Sequence, residues 1–166
     1  MSTDAIVLLK EDHKEIRRLF KAFQEAEEGP ASKRGKIVGQ ILEAPTVHTY
    51  LENEVMYPEV RKLVPDVEDD VLESYEEHHV ADVLCFELFT MDAGDERYNA
   101  KTTVLIENVL HHIEEEEQEW FPKVREALGR NRLQEIGQRM LDLRPKAPKT
   151  PAAPKALKKS LDAVVA

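Results

Sequence analysis

A single cysteine, Cys85, stands among 166 residues. No disulfide can form within the chain, which fits a reducing compartment, and Cys85 lies in an apolar run where a buried, inert thiol is expected. Glycine is scarce too, six in all and nearly all where a helix would end. No run alternates apolar and polar residues over the length of a strand, so helices are expected throughout. There is no stretch of eighteen apolar residues, and the opening Met-Ser-Thr-Asp lacks the basic-then-apolar pattern of a secretory leader. Neither a membrane span nor a secretion signal is expected, and the expected location is the cytoplasm.

What the chain has in excess is acid. The formal net charge is −10, and the final stretch runs against it. Residues 144–166 hold six basic residues (Arg144, Lys146, Lys149, Lys155, Lys158, Lys159) and one acid, Asp162, leaving 17 basic and 32 acidic residues, a net −15, in residues 1–143. Such a body repels nucleic acid and anionic membrane, so neither is an expected partner. Most of its carboxylates read as a solvated face. With 42% apolar and 34% charged residues, residues 1–143 read as one soluble globular domain, expected to be a monomer. From Arg144 the chain turns to Pro-Lys-Ala repeats that cannot bury enough apolar surface to stay ordered. Residues 144–166 are therefore expected to be a flexible tail, with weak helical periodicity over 156–166.

One pattern occurs twice. From His48 to Pro58 the chain reads His-Thr-Tyr-Leu-Glu-Asn-Glu-Val-Met-Tyr-Pro, and from His112 to Pro122 it reads His-Ile-Glu-Glu-Glu-Glu-Gln-Glu-Trp-Phe-Pro. In both, a histidine is followed four residues on by a glutamate, Glu52 or Glu116, and ten on by a proline preceded by an aromatic, Tyr57 or Phe121. Four residues is one helical turn, so each imidazole and its carboxylate project from one face. His111 and Glu115 share that spacing, but only His112 stands ten before the proline. Two such pairs on facing helices would converge on one point, which is how bundles build metal sites.

The rest of the chain supplies the frame. Ser2-Thr3-Asp4 opens a first helix whose stripe of Ile6, Leu9, His13, Ile16, Leu19, Phe20 and Phe23 puts His13 toward the core. Gly29-Pro30 ends it. A second helix from about Ser32 carries His48 and Glu52; Pro45 predicts a kink before His48, and Pro58 a further bend or a loosened turn. A third runs from about Val67 through Met91, and its register favours His78 over His79, which lies about a hundred degrees round the helix. After the loop at Asp92–Glu96 a fourth runs to Leu128, with Gly129 as its stop. A short extra C-terminal helix around Leu133, Ile136 and Met140 follows.

Together the helices offer His13, His48, Glu52, His78, His112 and Glu116. A single zinc ion would leave some of these unpaired. Four imidazoles and two carboxylates able to bridge suit two metals, and the donor types favour iron, with zinc the less favoured alternative. In Asp-His at 12–13, His-x-x-x-Glu with Tyr-Pro at 48–58, Glu-His at 77–78, and His-x-x-x-Glu with Phe-Pro at 112–122, residues 4–128 resemble the hemerythrin-like HHE cation-binding family. The resemblance implies an all-α, up-down-up-down four-helix bundle with an oxo- or hydroxo-bridged di-iron centre that reacts with O2 or hydrogen peroxide. The chain also looks similar to actinobacterial members, some of which decompose peroxide.

The sequence departs from that pattern at one ligand. Where oxygen carriers of the family have a second histidine on the third helix there is Ser74, with Tyr75 beside it as a possible additional ligand. An open position favours catalase-like turnover over oxygen carriage, and Glu54, Glu115 and Glu117 stand near enough to relay protons or to be plain surface charge. The alternative is a non-enzymatic oxygen or iron sensor whose basic tail meets an acidic partner. A metalloprotease His-Glu-x-x-His is absent, and the ferritin-like Glu-x-x-His occurs once, at Glu76–His79.

Overall fold

The structure is a computed structural model and describes residues 2–153. The expectations for the last residues of the tail, including Lys155, Lys158, Lys159 and the periodicity over 156–166, lie outside the described residues. Among those described there is no strand, and no helix is long and apolar enough to cross a membrane.

Helix α1 spans Ala5–Ala26. Asp4 caps it by accepting from the Val7 N–H at 3.1 Å, a contact worth about 1 kcal/mol, and the same carboxylate takes both arms of the Arg125 guanidinium at 2.9 and 3.1 Å. Helix α2, Ala31–Leu51, stays helical through Pro45, where the sequence pattern predicted a kink; beside the lost donor, the Thr46 hydroxyl bonds back to the Leu42 carbonyl at 2.6 Å. The departure from α geometry comes later. Glu52–Met56 is one π turn, followed by α3, Tyr57–Leu63. After a 3₁₀ turn at Pro65–Val67 come α4, Glu68–Thr90, and α5, Tyr98–Glu115. A second π turn, Glu116–Trp120, leads into α6, Phe121–Leu143.

The two π turns stand at the same place in the two repeats, and proline explains both. Pro58 and Pro122 have no N–H, and each ring crowds the carbonyl four residues back. The helix widens by a residue instead: the Tyr57 N–H donates to the Glu52 carbonyl and the Phe121 N–H to the Glu116 carbonyl, each five residues back. Pro58 thus loosens its turn.

The molecule is an up-down-up-down bundle of α1, α2 with α3, α4, and α5 with the first part of α6. At Gly129 the backbone takes φ 71°, ψ 176°, a left-handed φ that suits glycine, and breaks α6. The remainder is the extra C-terminal helix, whose Leu133, Ile136 and Met140 pack into the same core as Ala5 and Ile6. Gly137 permits a close approach: a Cβ there would stand 1.6 Å from the Thr3 carbonyl oxygen. Packed chain continues past Leu143, because Arg144–Lys146 forms a 3₁₀ turn, Arg144 reaches Asp12 at 2.8 Å and Ala147 is buried.

Two apolar layers fill the bundle. One gathers Leu9, Leu51, Tyr57, Tyr75, Trp120 and Phe121; the other gathers Ile16, Phe20, Ile41, Cys85, Leu105 and Val109. Along α1, α2, α4 and α5, with the π turns that follow α2 and α5, the histidine and glutamate positions fall between the two, so six ionisable groups form a polar layer within the core.

Candidate metal centre

The four helices deliver one imidazole each to that layer. His13 on α1, His48 on α2, His78 on α4 and His112 on α5 are at most 4% exposed. Their Nε2 atoms face one another in pairs, His13 with His48 at 3.1 Å and His78 with His112 at 3.0 Å. Glu52 and Glu116 lie between the pairs, both fully buried. Glu52 Oε1 touches His48 Nε2 and is 3.7 Å from His78 Nε2. Glu116 Oε2 is 3.2 Å from His13 Nε2, and its Oε1 is 3.5 Å from His112 Nε2. Each carboxylate therefore spans both imidazole pairs. Two groups of three donor atoms result, His13–His48–Glu116 and Glu52–His78–His112, the atoms of each group lying within 4.8 Å of one another.

Helix α4 turns His78 inward, while His79 is half-buried with its Nδ1 unbonded. His111 is 65% exposed and meets Glu115 on the surface at 3.0 Å. Glu77, His111 and Glu115 are drawn together there, as exposed acids often are without an ion. Glu54 is exposed.

Tyr75, the possible additional ligand, is not brought to the donor atoms. Its buried hydroxyl makes no hydrogen bond, and its ring meets that of Tyr57 edge-on at 5.1 Å. Side chains lean toward the N-terminus of their helix, which carries Tyr75, three residues before His78, into the apolar layer beyond the site. The phenol at the site belongs to Tyr57. Its hydroxyl donates to Glu116 Oε1 at 2.5 Å and stands 3.2 Å from His78 Nε2. In an unbroken α-helix, the residue five beyond Glu52 would point well away from it; the π turn brings the two to one side.

A second circle of oxygens fixes the imidazoles. The outward Nδ1 of His13 meets Glu117 at 2.7 Å, that of His48 meets Asp12 at 3.3 Å, that of His78 meets Asn53 at 2.8 Å, and that of His112 meets Glu77 at 3.0 Å. Each of these acceptors is the sequence neighbour of an inward group on a different helix. Asp12 beside His13 holds the ring of α2, Asn53 beside Glu52 that of α4, Glu77 beside His78 that of α5, and Glu117 beside Glu116 that of α1. With Nδ1–H committed outward, Nε2 is left facing inward to bind. Sequence signals for two of them, the Asp-His and Glu-His pairs at 12–13 and 77–78, were present; the cross-helix direction of the contacts was not.

The electrostatics ask for cations. Burial alone would keep the imidazoles neutral, yet Glu52 and Asp12 outweigh it at His48 and raise it to about 10, and Glu116 and Glu77 raise His112 to about 9. His78 is pushed below its ordinary value by burial and by the charge of His112. Burial and the charge of Glu116 raise Glu52, whereas at Glu116 the His112 and His13 rings overcome burial and hold the carboxyl low. Both oxygens of Glu52 and Oε2 of Glu116 are buried without an aligned hydrogen-bond donor. Buried carboxylates left so are costly, and protons on inward Nε2 atoms are what offsets them when no metal is bound. Four nitrogens and two bridging carboxylates fit a pair of metal ions in place of those protons.

Comparison with known proteins agrees with a metal-binding centre. The family profile described as the hemerythrin HHE cation binding domain matches residues 4–124. The chain belongs to the hemerythrin HHE family. The crystal structure of a hemerythrin HHE cation-binding domain-containing protein from Mycobacterium kansasii is similar in fold, with a TM-score of 0.70 at 20% identity over 86% of each chain. A curated protein from Nostoc sp. strain PCC 7120, named as a DNA nickase, is 26% identical over 122 residues, which are 74% of this chain and 34% of that protein. The HHE chain described here thus spans about a third of that relative's length.

Proposed function

We propose that this HHE protein is a non-haem di-iron protein that reacts with O2 or hydrogen peroxide, and that its turnover is peroxide decomposition in protection against oxidative stress. The observation that carries the reading is the pair of buried carboxylates, each spanning two imidazole pairs. Imidazole with carboxylate suits iron, with zinc as the alternative. When bound, an iron pair supplies the redox chemistry toward the oxidant.

The remaining roles belong to the chain. Glu117, Asp12, Asn53 and Glu77 hold the four rings in the tautomer that binds metal. Tyr57, kept protonated by burial and by the Glu116 and Glu52 charges, holds a proton at Glu116 Oε1 and could serve there as a proton donor. Trp120, Phe121 and Tyr75, each at most 2% exposed, seal that side from water. A phenol donor at the site, with Ser74 where oxygen carriers of the family have an imidazole, favours turnover over reversible carriage. The nickase activity of the Nostoc relative finds no support here, since the acidic body repels DNA.

One contact favours a second reading, a non-enzymatic oxygen or iron sensor: Arg144, just beyond the bundle, shares Asp12 Oδ2 with His48 Nδ1. Metal analysis and an oxygen electrode separate the readings. The expected result is about two irons per chain and oxygen release from peroxide above that of an equal amount of free iron. One zinc per chain overturns the di-iron reading; reversible O2 binding without oxygen release leaves the sensor.

A further inference from the structure

Two cavities meet at one side chain. Between α1 and α2 an open cleft of about 320 Å³ has a mixed lining, apolar at Leu19, Ala44 and Val47 and charged at Asp12, Glu15, Glu43 and Arg144. Inside the bundle a small, partly enclosed cavity of about 20 Å³ lies against the imidazoles of His48, His78 and His112. That volume admits one water-sized molecule. Ile16, 1% exposed, lines both.

The inner cavity marks the side of the site from which something can arrive. Across the donor atoms, Tyr57, Trp120 and Phe121 pack ring against ring, with centroids 5.6 and 4.8 Å apart. On the cavity side the walls are Ile16, Pro45, Ala81, Cys85, Val109 and Ile113. Pro45 is suited to such a wall because it has no N–H to leave unsatisfied. An ion passing the buried Ile16 would give up its hydration against apolar carbon, so this neck favours uncharged molecules. Asp82, in the same wall, is partly buried, and that burial pushes its carboxyl up to about 7. Asn108 Oδ1, from another wall residue, is buried without a donor and can receive an O–H.

We infer that the cleft, Ile16 and the inner cavity form the entry path for one uncharged oxidant of dioxygen or hydrogen peroxide size, with Ile16 as the neck that sets its rate of arrival. The inference rests on the reading of the centre as one that meets an oxidant, but the occupancy of the cavity can be tested without redox chemistry.

The full chain loaded with zinc is diamagnetic and inert to electron transfer. Under oxygen pressure, the methyl resonances of Ala81, Val109 and Ile113 should show saturable paramagnetic shifts, whereas those of exposed Val80 and Val104 should show only the linear drift of surface contact. With hydrogen peroxide in place of oxygen, the Asn108 side-chain amide should shift saturably if peroxide is the occupant. Either response supports the cavity as the oxidant's pocket, and the absence of both overturns it. In the iron(II)-loaded chain, Ile16→Phe should slow oxidation several-fold and Ile16→Val should speed it, at unchanged iron content. Wild-type rates in both variants overturn Ile16 as the neck. If the zinc-loaded chain takes up the oxidant while the iron-loaded chain releases no oxygen from peroxide, the path stands and the catalytic reading falls.

Discussion

Tyr57 and Phe121 hold matching places in the two repeats, each one residue before a proline and each laid flat on an imidazole. The Tyr57 ring lies 18° from the plane of His78 at 5.2 Å, and the Phe121 ring 7° from that of His13 at 6.1 Å. They differ by one oxygen, and that oxygen donates to Glu116. Tyr57→Phe should therefore keep the stacking and the iron content while slowing peroxide decomposition on the order of 100-fold, the scale of a lost proton donor; unchanged turnover would leave Tyr57 a packing residue. Glu117 was legible only as a neighbour of a ligand, with a proton relay or surface charge as its roles. Its carboxylate instead orients His13 at 2.7 Å and is held in turn by Arg17 at 3.2 Å. Glu117→Ala should weaken metal binding about 10- to 100-fold, measured by competition with a chelator. The six inward groups could be read from spacing because an α-helix repeats its faces every turn. Tyr57 could not, because its direction depends on a turn that is not α-helical; Tyr75 was named instead as a stand-in for the histidine missing at Ser74.

The repeated proline acts on a whole helical turn. Pro58 and Pro122 each suppress one donor, so the turn before them widens and carries a glutamate and the aromatic five residues later onto one side. Pro58→Ala restores an N–H able to bond four residues back. The expected outcome is an α turn at Glu52–Met56, with Tyr57 swung off Glu116. Metal content should then fall although helix content by circular dichroism is unchanged or higher; full metal loading would show that the π turn is incidental to the site. Element order, helix faces and approximate ends were legible in the apolar stripes and in Gly29 and Gly129. How α2 accommodates Pro45 was not, since Thr46 and packing against neighbouring helices decide it. The cross-helix grip of Asp12, Asn53, Glu77 and Glu117 was hidden for the same reason: one helix's periodicity says nothing of where the next one sits.

For the molecule as a whole, a charged layer sits between two apolar ones, and its stability depends on which cations neutralise it. In the metal-free chain these are protons. His48 and His112 bind theirs with folded values of about 10 and about 9 against an ordinary 6.5. A raised value means that the folded chain holds the proton more tightly than the unfolded one, so the stabilisation is complete below pH 6.5 and disappears as pH rises toward 9 and 10. Glu52, raised by burial and by Glu116, adds to the loss as pH climbs past the ordinary carboxylate range. The combined effect is on the order of a few kcal/mol, enough to move the melting temperature of a domain this size by several degrees. On the acid side, Asp12, buried but held down to about 2 by His48 and Arg144, costs stability only as pH falls from 3.8 toward 2. In the loaded protein metal ions occupy the positions of the Nε2 protons, and acid opposes binding because each proton must displace a ligand bond. The two forms should therefore respond in opposite directions. Between pH 6 and pH 10 the melting temperature of the metal-free chain should fall steadily, while that of the loaded chain should hold or rise. The gap between the curves, measured by calorimetry at matched ionic strength, should widen with pH. Parallel curves would mean that the imidazole Nε2 atoms are not where the metal binds.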